Sequence, residues 1–232
     1  MILSGWAEFA LALVVFMGSH FLPRVGGLRE TLIGKIGRRA YFAGYGITSL
    51  VVLVWLIGSA SRAPYVEIWA ASEWTRKVPA VVMPFAMVLA VIGIGTRWPF
   101  TLGGKEATAF DPAKPGLAAL TRHPLLWGLA LWSAAHLPPN GDFAHVLLFG
   151  GFALMSLAAM PMFDRRAKAA LATGDTARWF QSAPLLSFET LTDPNWLKAN
   201  GRDLTWRLAI AAVTWAVAFG LHSTVMGVSP NP

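Results

Sequence analysis

Residues 121–136 read TRHPLLWGLALWSAAH, a basic turn running straight into an apolar helix with a histidine at each end. Pro124 suits the first turn of that helix, where its missing N–H costs no hydrogen bond, or it kinks a longer helix begun near Leu117. The connection that follows, Pro138-Pro139-Asn140-Gly141-Asp142, is a dense turn signal before the next apolar run. Two antiparallel neighbouring helices are the expected result.

Composition says which solvent those helices meet. Of 232 residues, 55% are hydrophobic and 13% charged, against the roughly one-quarter charged residues of a soluble domain. The net charge of +7 does not point to nucleic acid, because the Lys and Arg fall between long uncharged runs instead of along one solvated face. There is no cysteine, so disulfides, thiolate metal sites and cysteine nucleophiles are excluded, and any metal falls to His, Asp or Glu. No repeat or linker divides the chain, and residues 1–232 read as a single integral membrane domain.

A hydrocarbon core about 30 Å thick takes roughly 20 helical residues, and six segments approach that length. They are Ile2 to Leu22, Ala40 to Ala60, Val78 to Thr96, Pro124 to Leu137, Phe143 to Phe163 and Leu208 to Val225. The first carries Glu8 and lacks a basic leader, so it is expected to stay as a membrane helix. The expected fold is an all-α polytopic bundle of about six transmembrane helices, with an interfacial cytoplasmic segment before the last one. That segment, Asp164 to Arg207, opens as an amphipathic helix and continues as aromatic, proline-containing chain. Of the 19 Lys and Arg, 16 lie in the connections after helices 1, 3 and 5, and only Arg62, Arg76 and Lys77 lie on the other side. The positive-inside bias then puts both termini outside, in the periplasm of a bacterial inner membrane.

Trp6, Trp69, Trp74, Trp98, Trp196 and Trp206 fit an aromatic belt at helix ends and interfacial loops. Gly44 with Gly46, and Gly93 with Gly95, are expected where helices pack closely. Asp164, beside Arg165 and Arg166, reads as an exposed ion pair, and Glu8 as a lone carboxylate inside helix 1.

The histidines form two tiers. His20 and His123 share the inner depth; His136, His145 and His222 share the outer one. Imidazole is a common haem ligand, and ionisable groups within a membrane are costly enough to mark function. His123 and His136, 13 residues apart on one helix, are separated by roughly 20 Å and cannot share an iron. Arg122, with Arg24 as a partner, suits a carboxylate, phosphate or haem propionate.

These residues carry a resemblance. Gly18-Ser19-His20 followed by Leu28-Arg29 and Arg38, the TRHP of 121–124 with Trp127-Gly128, and Ala135-His136-Leu137 resemble the NnrU family of bacterial membrane proteins. That family is related to the 15-cis-zeta-carotene isomerases. The resemblance implies haem b, a supporting role in denitrification beside nitrite reductase or nitric oxide reductase components, and contact with membrane lipid. It implies metal ligation by His20 and His136, while the tiers pair His20 with His123; both pairings stand at this level. His20, His123, His136, Arg122 and Arg24 are thus the cofactor-binding candidates. Should the chain be an enzyme, the resemblance implies a haem-dependent isomerase, or a methyltransferase-like protein, since Arg122-His123-Pro124 is similar to the motif with which isoprenylcysteine carboxyl methyltransferases bind S-adenosylmethionine.

Overall fold

The computed structural model describes residues 5–105 and 110–231. Eight α-helices follow in order: α1 Gly5–Phe21, α2 Leu28–Ile36, α3 Arg38–Arg62, α4 Glu73–Gly93, α5 Pro124–His136, α6 Phe143–Ala170, α7 Thr173–Ser182 and α8 Pro194–Met226. No strand is present among the described residues, and the expected all-α class holds.

Four helices, α3, α4, α6 and α8, are long and apolar enough to cross a membrane. Among the described residues four of the six expected spans are of full length, and residues 2–4 of the first lie outside the described residues. The 13 residues of α5, at 1.5 Å per residue, reach roughly 20 Å, short of the hydrocarbon thickness, and the 17 described residues of α1 reach roughly 26 Å. α8 is the other departure. It begins at Pro194, so the chain expected to lie irregularly before the last span is already its first four turns. In the most apolar window of α8 only 6% of residues are buried against protein. Apolar side chains so exposed need lipid around them, and the chain is a membrane protein.

The contacts divide into two compact units, residues 1–69 with 141–148, and residues 70–140 with 149–232. In the first, α1 packs along α3 and the short α2 rests on α3. Glu8 is not alone there: Arg62 Nη2 and Nε and Trp55 Nε1 all donate to it, at 2.6, 3.1 and 3.1 Å. Gly44 and Gly46 are not packing sites, since a Cβ on either would meet nothing within 4 Å.

In the second unit α4 packs on α5 and on α8. Here the glycine expectation succeeds at Gly93, whose Cβ would collide with Leu125, and Gly128 is the matching contact, where a Cβ would come within 2.8 Å of the Ala86 carbonyl oxygen. The last carbonyls of α4, which lack helical partners, are met from α8: Arg207 Nη1 donates to Val91 O at 2.7 Å and to Ile94 O at 2.9 Å. Pro124 opens α5 at its first turn and does not kink a longer helix. Two tryptophans leave the expected belt. Trp98 is fully buried among Phe110, Ala118, Ala167 and Ala183, and Trp196 is buried against Ile92, Leu117 and Leu120 with its Nε1 on Gly116 O. Both turn inward because the connections before α5 and α8 fold over core of their own, whereas Trp74 and Trp206 remain exposed.

Candidate functional site

The basic turn before α5 is stitched to the chain that follows α7. Arg122 N donates to Pro184 O at 2.9 Å, Thr121 Oγ1 to Leu185 O at 2.6 Å, and Ser187 N to Leu120 O at 2.8 Å. Trp127 Nε1, one turn into α5, shares the Leu185 carbonyl. This ladder presents Arg122 and His123 to Asp164, which sits in the penultimate turns of α6. Arg122 grips the carboxylate with two parallel bonds, Nε to Oδ1 at 2.8 Å and Nη2 to Oδ2 at 2.6 Å, while Nη1 donates to Ala183 O. Its guanidinium carbon stands 5.0 Å from the centre of the Phe180 ring. A fork-on-fork pair of this kind is the strongest geometry an arginine offers a carboxylate.

His123 is wholly buried, with Nε2 2.9 Å from Asp164 Oδ1 and Nδ1 2.9 Å from Thr101 Oγ1. An ionised carboxylate only accepts, so Nε2 carries the proton, and Nδ1 is left to accept the Thr101 hydroxyl. Burial pushes the imidazole below its ordinary pKa, against the opposing pull of Asp164. Neutral His123 thus has both nitrogens in use. Iron ligation there would require breaking the Thr101 bond or the Asp164 bond, and a propionate or phosphate on Arg122 would have to displace Asp164.

Asp164 is therefore not the exposed partner of Arg165 and Arg166, and this role was missed from sequence. One signal pointed to it: an acidic residue at the end of the fifth apolar run, level with Arg122. Nothing in the pattern singled out Thr101, which reaches the site from the irregular chain after α4.

His20 and His136 are held differently. His20 Nδ1 lies 2.8 Å from Phe16 O and His136 Nδ1 lies 2.7 Å from Trp132 O, each the carbonyl four residues back in its own helix. A carbonyl accepts only, so Nδ1 is the protonated nitrogen. Nε2 of each keeps its lone pair and has no hydrogen-bond partner among the described residues. Aromatic rings fix both imidazoles: Phe16 and Tyr45 at 4.2 and 5.8 Å from His20, Phe149 and Trp132 at 5.2 and 5.6 Å from His136. His145 is bonded to Asp142 at 2.7 Å, and His222 to Val228 O beyond the end of α8. His123 and His136 stand at opposite ends of the continuous α5, as their spacing required. Arg24 closes a short 3-10 turn, Leu22–Arg24, and its side chain lies outside the described residues.

Among the described residues no three His, Asp or Glu side chains gather as a bare metal ion would need. The family described as NnrU protein matches residues 8–230, nearly the whole chain. The chain belongs to the NnrU family. No curated protein sequence and no solved structure matches this NnrU chain. The family match reaches from within α1 to beyond α8, with His20, the Arg122–His123–Asp164 clamp and His136 inside it.

Proposed function

We propose that this NnrU protein binds haem b through histidine and supports denitrification in the bacterial inner membrane, acting on nitrite reductase or nitric oxide reductase components, with both termini periplasmic. The observation that carries the reading is the shared preparation of His20 and His136. A metal-bound histidine ordinarily donates its second ring nitrogen to a carbonyl or carboxylate, which fixes the tautomer and raises the basicity of the ligating nitrogen. Each of these two residues has that bond in place and an Nε2 lone pair to offer. A porphyrin supplies the equatorial donors, so one or two such histidines suffice where a bare ion would need a cluster. The donor set fits haem, and each histidine would offer its Nε2 to the iron within its own unit.

Haem b, when bound, supplies a one-electron couple at the membrane. The chain's own residues would hold the iron through Nε2, orient each imidazole through the helix carbonyl and the flanking rings, and keep water from the ligating face. His123 and Arg122 serve instead to fix the turn from which α5, and with it His136, sets out.

Visible spectra of the detergent-purified protein, oxidised and dithionite-reduced, test this reading. A Soret band with sharp reduced α and β bands is expected. His20→Ala and His136→Ala should each shift or abolish the spectrum while leaving the protein folded, and His123→Ala should leave the band positions of the folded fraction unchanged. A protein that stays colourless after haem is supplied during expression would overturn the proposal.

A further inference from the structure

In the first unit a groove of about 380 Å³ opens between the end of α1, α2 and the first half of α3. Its wall is almost wholly apolar, including Leu22, Leu28, Leu32 and Ile36, with Tyr41 and Tyr45 on α3. Two glycines make the space. Gly18 and Gly44 both line the groove, and a Cβ on either would meet nothing within 4 Å. α2 is set off by glycines in the left-handed region, Gly26 and Gly27 before it and Gly37 after it. None of its residues is buried, and Leu28, Leu32 and Ile36, four apart, form the stripe facing the groove.

The chain that runs from the end of α1 through α2 into α3, beside the groove, carries one sign of charge. Residues 24–39 hold five Arg and Lys against the single acid Glu30. Arg29 from α2 and Arg38 from α3 both stand over the ring of Phe42, at 5.4 and 5.1 Å from its centre. Two cations gathered on one ring beside an apolar slot match a molecule with an anionic head and an apolar tail. We infer that this groove is a binding site for one anionic phospholipid, with an acyl chain between α2 and α3 and the phosphate between Arg29 and Arg38. The paired charge of Arg29 and Arg38 selects the lipid and the missing side chains at Gly18 and Gly44 admit its chain. This does not depend on the haem reading, because His20 is not part of the groove wall.

The full chain in detergent, titrated with phosphatidylglycerol and with phosphatidylcholine of the same acyl chains and followed by native mass spectrometry, tests the inference. One phosphatidylglycerol should bind with a preference of about tenfold or more, the scale expected of two lipid-facing arginines. The double variant R29Q/R38Q should bring the two lipids to near parity. G44L projects into open space on a helix, so it should fold, and it should weaken both lipids by filling the slot. Equal binding of the two lipids to the unaltered protein would overturn the site. So would G44L binding phosphatidylglycerol undiminished, or soluble glycerol phosphate binding as well as the lipid. Loss of haem in G44L with lipid binding unchanged would assign the groove to another occupant and equally overturn it.

Discussion

Each unit holds an arginine–carboxylate pair with the same closest approach of 2.6 Å, Glu8–Arg62 in the first and Arg122–Asp164 in the second. Their surroundings differ. The Arg62 and Glu8 side chains are 55% and 25% exposed, and the pair ties two neighbouring helix ends; Arg122 and Asp164 are 11% and 17% exposed and share the carboxylate with a fully buried histidine. Distance therefore does not rank these pairs. The worth of each depends on what loses its partner when the pair is cut, which for Asp164 is a mostly covered guanidinium and a fully buried imidazole together.

Asp164→Ala should give the largest loss of stability, on the order of 3–5 kcal/mol, the usual cost of leaving a buried charge uncompensated. Reversible unfolding in mixed micelles measures it; a loss under about 1 kcal/mol would show that water or lipid headgroups reach Arg122 and stand in for the carboxylate. Arg122→Lys keeps the charge but removes the parallel fork and the bond to Ala183 O, and should cost about 1–3 kcal/mol. Glu8→Gln should shift the same transition by less than either, because Arg62 can turn to solvent. Should it match Asp164→Ala, the contrast between the two regions would be gone.

The contrast also marks how far the sequence could be read. The apolar runs, the turn at 138–142 and the basic connections were legible because each is a local property, of length, turn chemistry or charge. Asp164 was visible as an acid at the end of a helix, but 42 residues separate it from Arg122, and no periodicity chooses between that partner and the adjacent Arg165. Glu8 is visible in helix 1, yet its partner Arg62 lies 54 residues away, where the local pattern marks it only as a charge at the end of an apolar run. The candidate haem ligands were legible as histidines near helix ends. Their preparation was not, because whether Nδ1 reaches the carbonyl four residues back is set by a side-chain rotamer, which residue identity leaves open. The same holds for Trp98 and Trp196: a belt position and a buried position differ by which way one side chain turns.

The smallest expected effect is a pH dependence confined to the second unit's clamp. An unfolded histidine titrates near pH 6.5, and burial holds folded His123 below that value. Between the two pKa values the unfolded chain carries a proton that the folded chain lacks, so acid favours unfolding. The contribution is complete above about pH 6.5 and is lost as the pH falls through the folded pKa, with a slope of at most about 1.4 kcal/mol per pH unit, one proton's worth. The quantity to compare is the difference between the unaltered protein and His123→Asn, unfolded in parallel from pH 7.5 to 5.5. His123→Asn should be less stable throughout, because it leaves Asp164 or Thr101 short of a partner, and its deficit should narrow toward the acid end as the unaltered protein loses what His123 contributes. A deficit that widens with acid would mean that folded His123 takes the proton readily and binds Asp164 as an imidazolium. The clamp would then be strengthened by acid, and its likeness to the solvent-facing Glu8–Arg62 pair would be closer than burial alone indicates.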